Sequence, residues 1–222
     1  TLRGIFVNGF TNAPTGTITN SINNNNVSVR SGLASGAILG IHNDSTTTNA
    51  TTTLNINNND FNTFGHTVSG TAAVTGIQQA STAGTVNILN NTFTNLSYNT
   101  TGTSYLINNN SSTNNFTVNG NSIVGSWTRT GAGLTYGYYN FGSPTGGTGT
   151  ISNNNFSNIT LTGASNFYGI RQYTSTTQAE VINGNTISNV GGGSTSTIYG
   201  IDHGYGAAGS SVDGNTISGL SG

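Results

Sequence analysis

A six-residue block is the clearest pattern of apolar and polar positions along the chain. Its first and sixth residues are apolar, its third is asparagine or glycine, and its fourth is asparagine. The block occurs seven times at spacings of 30 to 34 residues, and this drift is typical of a solenoid whose loops vary in length. The copies are INNNNV (22–27), INNNDF (56–61), ILNNTF (88–93), VNGNSI (118–123), ISNNNF (151–156), INGNTI (182–187) and VDGNTI (212–217).

Each repeat holds two further short extended segments. One is built on glycine followed by isoleucine or tyrosine, as in Gly40 and Ile41. The other runs into the block with alternating polar and apolar residues, as at 53–56 and 85–88, which is the spacing of a half-buried strand. Three strands per repeat of about 31 residues, with no helical segment, predict one coil of a parallel β-helix. We expect about seven coils and interpret residues 1–222 as a single β-helix segment of a longer repeat protein.

The fourth position of the block is asparagine in every copy, and we expect these side chains to stack as an internal ladder in which each amide donates to the carbonyl of the next coil. The third position, always asparagine or glycine, is predicted to be a left-handed corner. The apolar sixth position and the apolar residue three places later are predicted to form two core stacks. The ladder residues are Asn25, Asn59, Asn91, Asn121, Asn154, Asn185 and Asn215.

The composition supports this architecture and excludes several functions. The chain has 36 Asn, 39 Thr, 25 Ser and 33 Gly, which are poor helix formers, and only 4% of its residues are charged. Four dispersed arginines, no lysine and a net charge of −1 exclude nucleic acid as a partner. No apolar run approaches the roughly 20 residues that span a bilayer, so we expect no membrane insertion. Without cysteine, the chain has no disulfide or thiolate chemistry.

The few ionisable residues indicate no catalytic site. The acidic residues fall at different repeat positions, so we expect no paired acid and base, no metal site and no cofactor. The best candidate for catalytic residues is Asp202 and His203, close to Arg171. Arg171 and Asp202 occupy the same repeat position in successive coils, so we interpret these two residues as a cross-strand ion pair. His42 and His66 are interpreted as surface histidines. The acidic residues are Asp44, Asp60, Glu180, Asp202 and Asp213.

Tyrosines suggest a ligand strip. Tyr136, Tyr168 and Tyr199 precede glycine in three consecutive coils, so they are predicted to stack as an aromatic column. Such a column would suit sugar rings or protein surfaces, with Tyr139, Tyr173 and Tyr205 widening it. The alternative interpretation is that the column only packs successive coils together.

The asparagine ladder, the apolar stacks and the coil length together resemble the right-handed parallel β-helices of the pectin-lyase-like superfamily across the whole chain. The segment ISNNNFSNI (151–159), with threonine- and glycine-rich spacers, resembles Asn-rich repeats of large secreted or cell-surface proteins of Bacteroidota and similar bacteria. The resemblance implies an all-β, right-handed coil and an extracellular or cell-surface location.

From these observations we expect a non-catalytic structural stalk or adhesin segment of a secreted or surface-displayed bacterial protein. Its expected partners are further coils of the same polypeptide and glycans or other cell-surface proteins. Two alternatives remain open: a polysaccharide lyase-like or hydrolase-like enzyme of the same fold, and a carbohydrate-binding module that uses the tyrosine strip.

Overall fold

The alternating segments form short strands throughout the chain. The computed structural model describes residues 1–9, 16–45, 51–173, 177–193, 195–204 and 206–222, and these residues contain β-strands and no helix. Accordingly, this part of the chain has no helix able to cross a bilayer. The strands are β1 (Leu2–Val7), β2 (Ile18–Asn23), β3 (Asn26–Val27), β4 (Arg30–Ser31), β5 (Ile38–Asn43), β6 (Thr52–Asn57), β7 (Asp60–Asn62), β8 (Gly65–His66), β9 (Val74–Gln79), β10 (Thr85–Leu89), β11 (Thr92–Asn99), β12 (Ser104–Asn109), β13 (Asn115–Asn119), β14 (Ser122–Thr130), β15 (Gly133–Asn140), β16 (Thr148–Ser152), β17 (Ile159–Leu161), β18 (Ser165–Gln172), β19 (Ala179–Asn183), β20 (Thr186–Gly191), β21 (Ile198–His203), β22 (Ser211–Asp213) and β23 (Thr216–Ser221).

The strands pair in parallel into three sheets of seven strands each. The first sheet has the order β1-β5-β9-β12-β15-β18-β21, the second β2-β6-β10-β13-β16-β19-β22, and the third β3-β7-β11-β14-β17-β20-β23. Each coil therefore contributes one strand to every sheet, and a short two-stranded sheet joins β4 to β8. The predicted parallel β-helix is confirmed, with six turns separating seven strand levels.

The six-residue block sets the register of the second sheet. Its first residues pair directly from coil to coil through Ile22, Ile56, Ile88, Val118, Ile151, Ile182 and Val212. All of these side chains except Val212, on β22, are buried in the core. Since side chains alternate between the faces of a strand, a slip of one residue would expose this whole column.

Left-handed corners bend the chain at two places in six of the seven coils, and at one place in the first coil. The predicted corner is confirmed, because the third residue of all seven blocks has a φ between 54° and 69°. A second corner, which the sequence analysis missed, lies two residues after the block. Its residues are Thr63, Asn95, Gly125, Asn158, Asn189 and Gly219.

The second corner explains the spacing of the two core stacks. In a regular strand, residues three apart point to opposite faces. Phe61 and Phe64 are nevertheless both buried, because the left-handed residue between them turns the chain. Phe61 also stacks on Phe93 of the next coil at a centroid distance of 4.9 Å. The sixth position of the block is thus inside the helix, apart from Ile217, which is 45% exposed on β23.

The glycine of the first-sheet motif makes room for this stack. A Cβ on Gly40 would lie 2.6 Å from the Gly76 carbonyl oxygen and 2.6 Å from a ring carbon of Phe61. Any side chain there would displace either the backbone of the next coil or the aromatic core.

Candidate functional site

The asparagine ladder is continuous, and Asn121 is a representative rung. Its Nδ2 donates to Oδ1 of Asn154 (2.9 Å) and to the backbone carbonyl of Ile88 (2.9 Å). Its Oδ1 accepts from Nδ2 (2.8 Å) and from the backbone N–H (3.0 Å) of Asn91. The amide-to-amide distance is 2.8 to 2.9 Å at every step of the ladder from Asn25 to Asn215.

The ladder belongs to the interior of the protein. Its five inner members are at most 1% exposed, so they cannot contact a ligand, and they satisfy the backbone N–H of the preceding coil at the bend. A corner that would otherwise bury unpaired polar groups is therefore fully hydrogen-bonded. These inner members are Asn59, Asn91, Asn121, Asn154 and Asn185.

The aromatic strip forms a column on the first sheet and is longer than the sequence analysis proposed. Tyr105 pairs with Tyr136, Tyr136 with Tyr168, and Tyr168 with Tyr199. We call these four residues the tyrosine column. Their ring centroids lie 4.8 to 5.2 Å apart, with interplanar angles of 5° to 16°.

Stacking determines which parts of the tyrosine column a ligand could reach. Tyr136 and Tyr168 each have a stacked ring on both sides, so the flat faces that sugars prefer are covered along the column. Tyr136 is only 3% exposed, whereas Tyr199 is 43% exposed. Tyr139 packs against Tyr136 at 4.8 Å and against the exposed Phe141 at 6.1 Å. Tyr205 lies outside the described residues.

Arg171 is the charged centre of this surface. Its Nε lies 3.1 Å from Asp202 Oδ2, so the expected cross-strand ion pair is present. Its guanidinium also lies 4.6 Å from the ring centroid of Tyr168 and 4.8 Å from that of Tyr173. Burial alone would lower the pKa of Arg171, but the hydrogen bond to Tyr136 and the neighbouring phenols and carboxylate raise it overall.

Asp202 and His203 do not act together, because adjacent residues of a strand point to opposite faces. Asp202 faces outward to Arg171, whereas His203 Nε2 lies 2.6 Å from Oε2 of the fully buried Glu180. Gln172 donates to the other oxygen of Glu180 at 2.8 Å. Burial raises the pKa of Glu180, although the hydrogen bonds from Gln172 and His203 act in the opposite direction. The sequence analysis missed this pair.

The two remaining histidines are placed differently. His42 is partly exposed and accepts a hydrogen bond from Arg3 Nε at 3.0 Å. The interpretation of His66 as a surface residue is wrong: it is 3% exposed, and its Nδ1 lies 3.0 Å from the Leu33 carbonyl oxygen. No cluster of three or more metal-ligating side chains occurs in the described residues.

A second polar column runs inside the first sheet. The sequence could have indicated this column, since a polar residue lies three positions after the glycine of the first-sheet motif in most coils. Asn43, for example, donates to Gln79 Oε1 at 2.7 Å while both are fully buried. The column consists of Asn43, Gln79, Asn109, Asn140, Gln172 and His203.

Arg129 is fully buried without a carboxylate partner among the described residues. Its terminal nitrogens donate six hydrogen bonds to carbonyl and hydroxyl oxygens of three coils, and three of the acceptors are the carbonyls of Thr100, Gly102 and Ala132. Burial lowers the pKa of Arg129 to about 10. The parallel register could have identified this inward position, because Arg129 shares its column with the buried Tyr98.

Comparison with models of known protein families, with curated proteins and with solved structures found no match.

Proposed function

We propose that the chain is a non-catalytic structural stalk or adhesin segment of a secreted or surface-displayed bacterial protein. The observation that carries the proposal is the uninterrupted asparagine ladder, which links all seven coils through amide hydrogen bonds that are buried at the four inner steps. A rod braced in this way holds its shape along its length, because each coil is bonded to the next at the same corner and in three sheets. We propose that further coils of the same polypeptide continue this stacking.

The charge distribution supports an exposed scaffold role. Only 4% of the residues are charged, and the surface is hydrated chiefly by amides and hydroxyls, so the rod is expected to be nearly indifferent to salt. The chain has no lysine, and Arg129 is buried, so trypsin-like proteases have few accessible cleavage sites. Both properties suit a protein segment displayed outside a cell.

Localisation tests the proposal directly. Antibodies raised against this segment should label intact cells of the source bacterium, and treatment of those cells with a broad-specificity protease should remove the label. Labelling that requires cell permeabilisation would refute surface display, and an absence from both the cell surface and the culture medium would refute the proposal as a whole. An antibody against a cytosolic protein serves as the control for cell integrity.

We also propose that the chain belongs to the pectin-lyase-like superfamily and comes from a Bacteroidota-like bacterium. The triangular parallel coil and the ladder at one corner support this assignment. An experimental structure tests it through the handedness of the coil, because a left-handed coil would contradict it. The genomic location of the parent sequence tests the origin.

A carbohydrate-binding or cell-surface contact at the tyrosine column is the second candidate. It is favoured by the exposed aromatic rim, in which Phe141 is 58% and Tyr199 43% exposed beside the Arg171 and Asp202 pair. A glycan array with the wild type, Tyr199→Ala and the control Phe6→Ala tests it, because Phe6 is an exposed aromatic residue of the same sheet, outside the tyrosine column. Binding lost only in Tyr199→Ala would support the site, and an array without any bound glycan would exclude it. Assaying the same glycans for new reducing or unsaturated ends tests the polysaccharide-cleaving alternative.

A further inference from the structure

The chain contains no oxidisable sulfur. It has no cysteine and no methionine, and its one tryptophan, Trp127, is fully buried. Thiols and thioethers are the side chains that oxidants commonly modify in proteins. In their absence, exposed tyrosines become the main targets of a one-electron oxidant.

Solvent exposure distinguishes one step of the tyrosine column from the other two. Tyr168 is partly exposed and Tyr199 is 43% exposed. The other two steps both include Tyr136, which is only 3% exposed and whose hydroxyl accepts a hydrogen bond from Arg171 at 3.5 Å. Within the column, a soluble oxidant therefore reaches both rings only at the step from Tyr168 to Tyr199.

The Tyr168 and Tyr199 rings are aligned for coupling. The two residues are register partners on β18 and β21. Their centroids are 4.8 Å apart and their planes are 5° from parallel, which is the closest alignment in the column. Paired parallel strands place equivalent atoms of neighbouring coils one above the other, so the ring carbons ortho to the two hydroxyls lie near each other. A tilt of the exposed Tyr199 ring brings these carbons together.

A second contact between accessible tyrosines has a poorer geometry. Tyr105 and Tyr139 are both partly exposed, but their ring centroids are 5.8 Å apart and their planes are inclined by 36°. Both rings also pack against the buried Tyr136, at 5.1 Å and 4.8 Å, which restricts their movement.

We propose that Tyr168 and Tyr199 are a site of oxidative cross-linking, at which a haem peroxidase with hydrogen peroxide joins them as dityrosine. Each phenol gives one electron to the oxidant and one proton to water, and the two phenoxyl radicals form a bond between their ortho carbons. The hydrogen on each of these carbons is then replaced by one on the phenol oxygen. The net reaction turns one hydrogen peroxide and two tyrosines into one dityrosine and two waters.

The surroundings of Tyr168 favour this neutral radical route. Burial raises the pKa of Tyr168, although the nearby Arg171 acts in the opposite direction. The phenol is therefore protonated near neutral pH, so its electron and its proton leave together. The Arg171 guanidinium, 4.6 Å from the ring centroid, disfavours a positively charged ring and acts in the same sense.

The cross-link would join the last two strands of the first sheet covalently. Residues 168 and 199 are 31 positions apart, so the bond closes one full coil of the chain. A covalent loop of this kind restricts the unfolded chain, as a disulfide does, and this chain has no disulfide. The proposal is independent of the surface location and of the glycan contact proposed above.

Treatment of the folded chain with a haem peroxidase and hydrogen peroxide tests the proposal. We expect dityrosine fluorescence and a monomer whose intact mass has decreased by two hydrogen atoms. Trypsin should then release residues 130–171 and 172–222 of the denatured product as one joined pair, because the chain has no lysine and its arginines are at positions 3, 30, 129 and 171. Fragmentation of this pair in a mass spectrometer should place the bond at Tyr168 and Tyr199.

Two variants identify the coupled tyrosines. Tyr199→Phe keeps the aromatic ring but removes the phenol, so it should abolish the joined pair. The matched control is Tyr173→Phe, which removes a partly exposed tyrosine of the same tryptic peptide outside the column and should cross-link as the wild type does. Oxidation in denaturant should lower the yield of the Tyr168–Tyr199 bond at least about fivefold, because the alignment of the rings is lost.

Thermal melting measures the effect of the bond on the fold. The cross-linked wild type should melt at a higher temperature than the untreated protein. Oxidised Tyr199→Phe, which carries any other oxidative change, should melt as untreated Tyr199→Phe does. Equal melting temperatures of cross-linked and untreated wild type would contradict the stabilising role.

Four results would overturn the assignment of the site. They are an oxidised monomer without joined peptides, a joined pair that persists in Tyr199→Phe, dityrosine found only in covalent dimers, and a bond that joins residues 31–129 to 130–171. The last of these would assign the modification to Tyr105 and Tyr139 instead.

Discussion

Replacing Asn121 by aspartate tests whether the ladder stabilises the fold. Asn121 is fully buried, and its Nδ2 donates to Asn154 Oδ1 and to the Ile88 carbonyl oxygen. In the variant an oxygen faces both acceptors, so two hydrogen bonds are lost. Asn154 Oδ1 keeps the backbone N–H of residue 121 as a donor, but the Ile88 carbonyl oxygen and the new carboxylate oxygen become two buried acceptors without this donor. At about 1 to 3 kcal/mol for each unsatisfied group, the free energy of unfolding should fall by about 2 to 6 kcal/mol.

The pH dependence of Asn121→Asp provides a second readout. Burial raises the pKa of a carboxyl group, and the protonated form restores one donor to the ladder. The stability contribution of a group with a raised folded pKa is present at low pH and is lost as the pH rises through that pKa. Asn121→Asp should therefore be less destabilised at about pH 4 than at about pH 8.

Denaturant titration and thermal melting followed by circular dichroism measure both effects. For a domain of this size the melting temperature should fall by about 2 to 4 °C per kcal/mol. The matched control is Asn155→Asp, an exposed neighbour of ladder residue Asn154, for which we expect a change within about 0.5 kcal/mol. Equal stability of the two variants would refute the reasoning, as would a destabilisation of Asn121→Asp that is independent of pH.

Three further predictions concern buried ionisable groups. Arg129→Met should lower the free energy of unfolding by about 3 to 5 kcal/mol in denaturant titration, because the buried Thr100 carbonyl and the partly buried Gly102 and Ala132 carbonyls lose a donor. A loss no greater than that of the exposed Arg30→Gln would contradict this. Burial raises the pKa of Tyr105 to about 12 and that of Tyr98 further, so their contribution is intact below about pH 10 and is lost as the pH rises above it. The difference between the ultraviolet titrations of the wild type and of Tyr98→Phe should therefore show ionisation of Tyr98 only together with unfolding, and a difference near pH 10 in an intact fold would be inconsistent with its burial. Because burial raises the pKa of Glu180, the wild type should lose stability relative to Glu180→Gln as the pH rises through that pKa, and parallel melting profiles from about pH 4 to about pH 8 would disprove it.

The parallel β-helix could be predicted because its signals are local and repeated. Each copy of the block carries the same requirements: an amide that bonds to its equivalents, a residue that tolerates a left-handed corner, and an apolar side chain for the core. The structure meets the first two requirements in every coil, from Asn24 and Asn25 to Gly214 and Asn215, and it buries the apolar side chain in every coil but the last. The tyrosine column followed from the same logic, although Tyr105 extends it by one ring.

Residues that depart from the repeat were harder to place. Glu180 and His203 lie 23 positions apart in different sheets, and no periodic pattern links them. Arg129 occupies a position where the adjacent coils carry Tyr98 and Leu161, and an arginine gives no sign in the sequence that it belongs to this buried column. His66 was misplaced for the same reason, because a polar residue type was taken to indicate exposure.

The sequence by itself determined the coil, because seven copies of one pattern impose the same backbone bend and the same neighbours at every level. The tertiary structure alone decided the environment of single residues, such as the buried Glu180, the buried Arg129 that bonds to three coils, and the buried His66. The physical reason is that equivalent side chains in a stacked column have the same neighbours in successive coils. Burial and charge pairing instead depend on which different side chains come into contact across the coil.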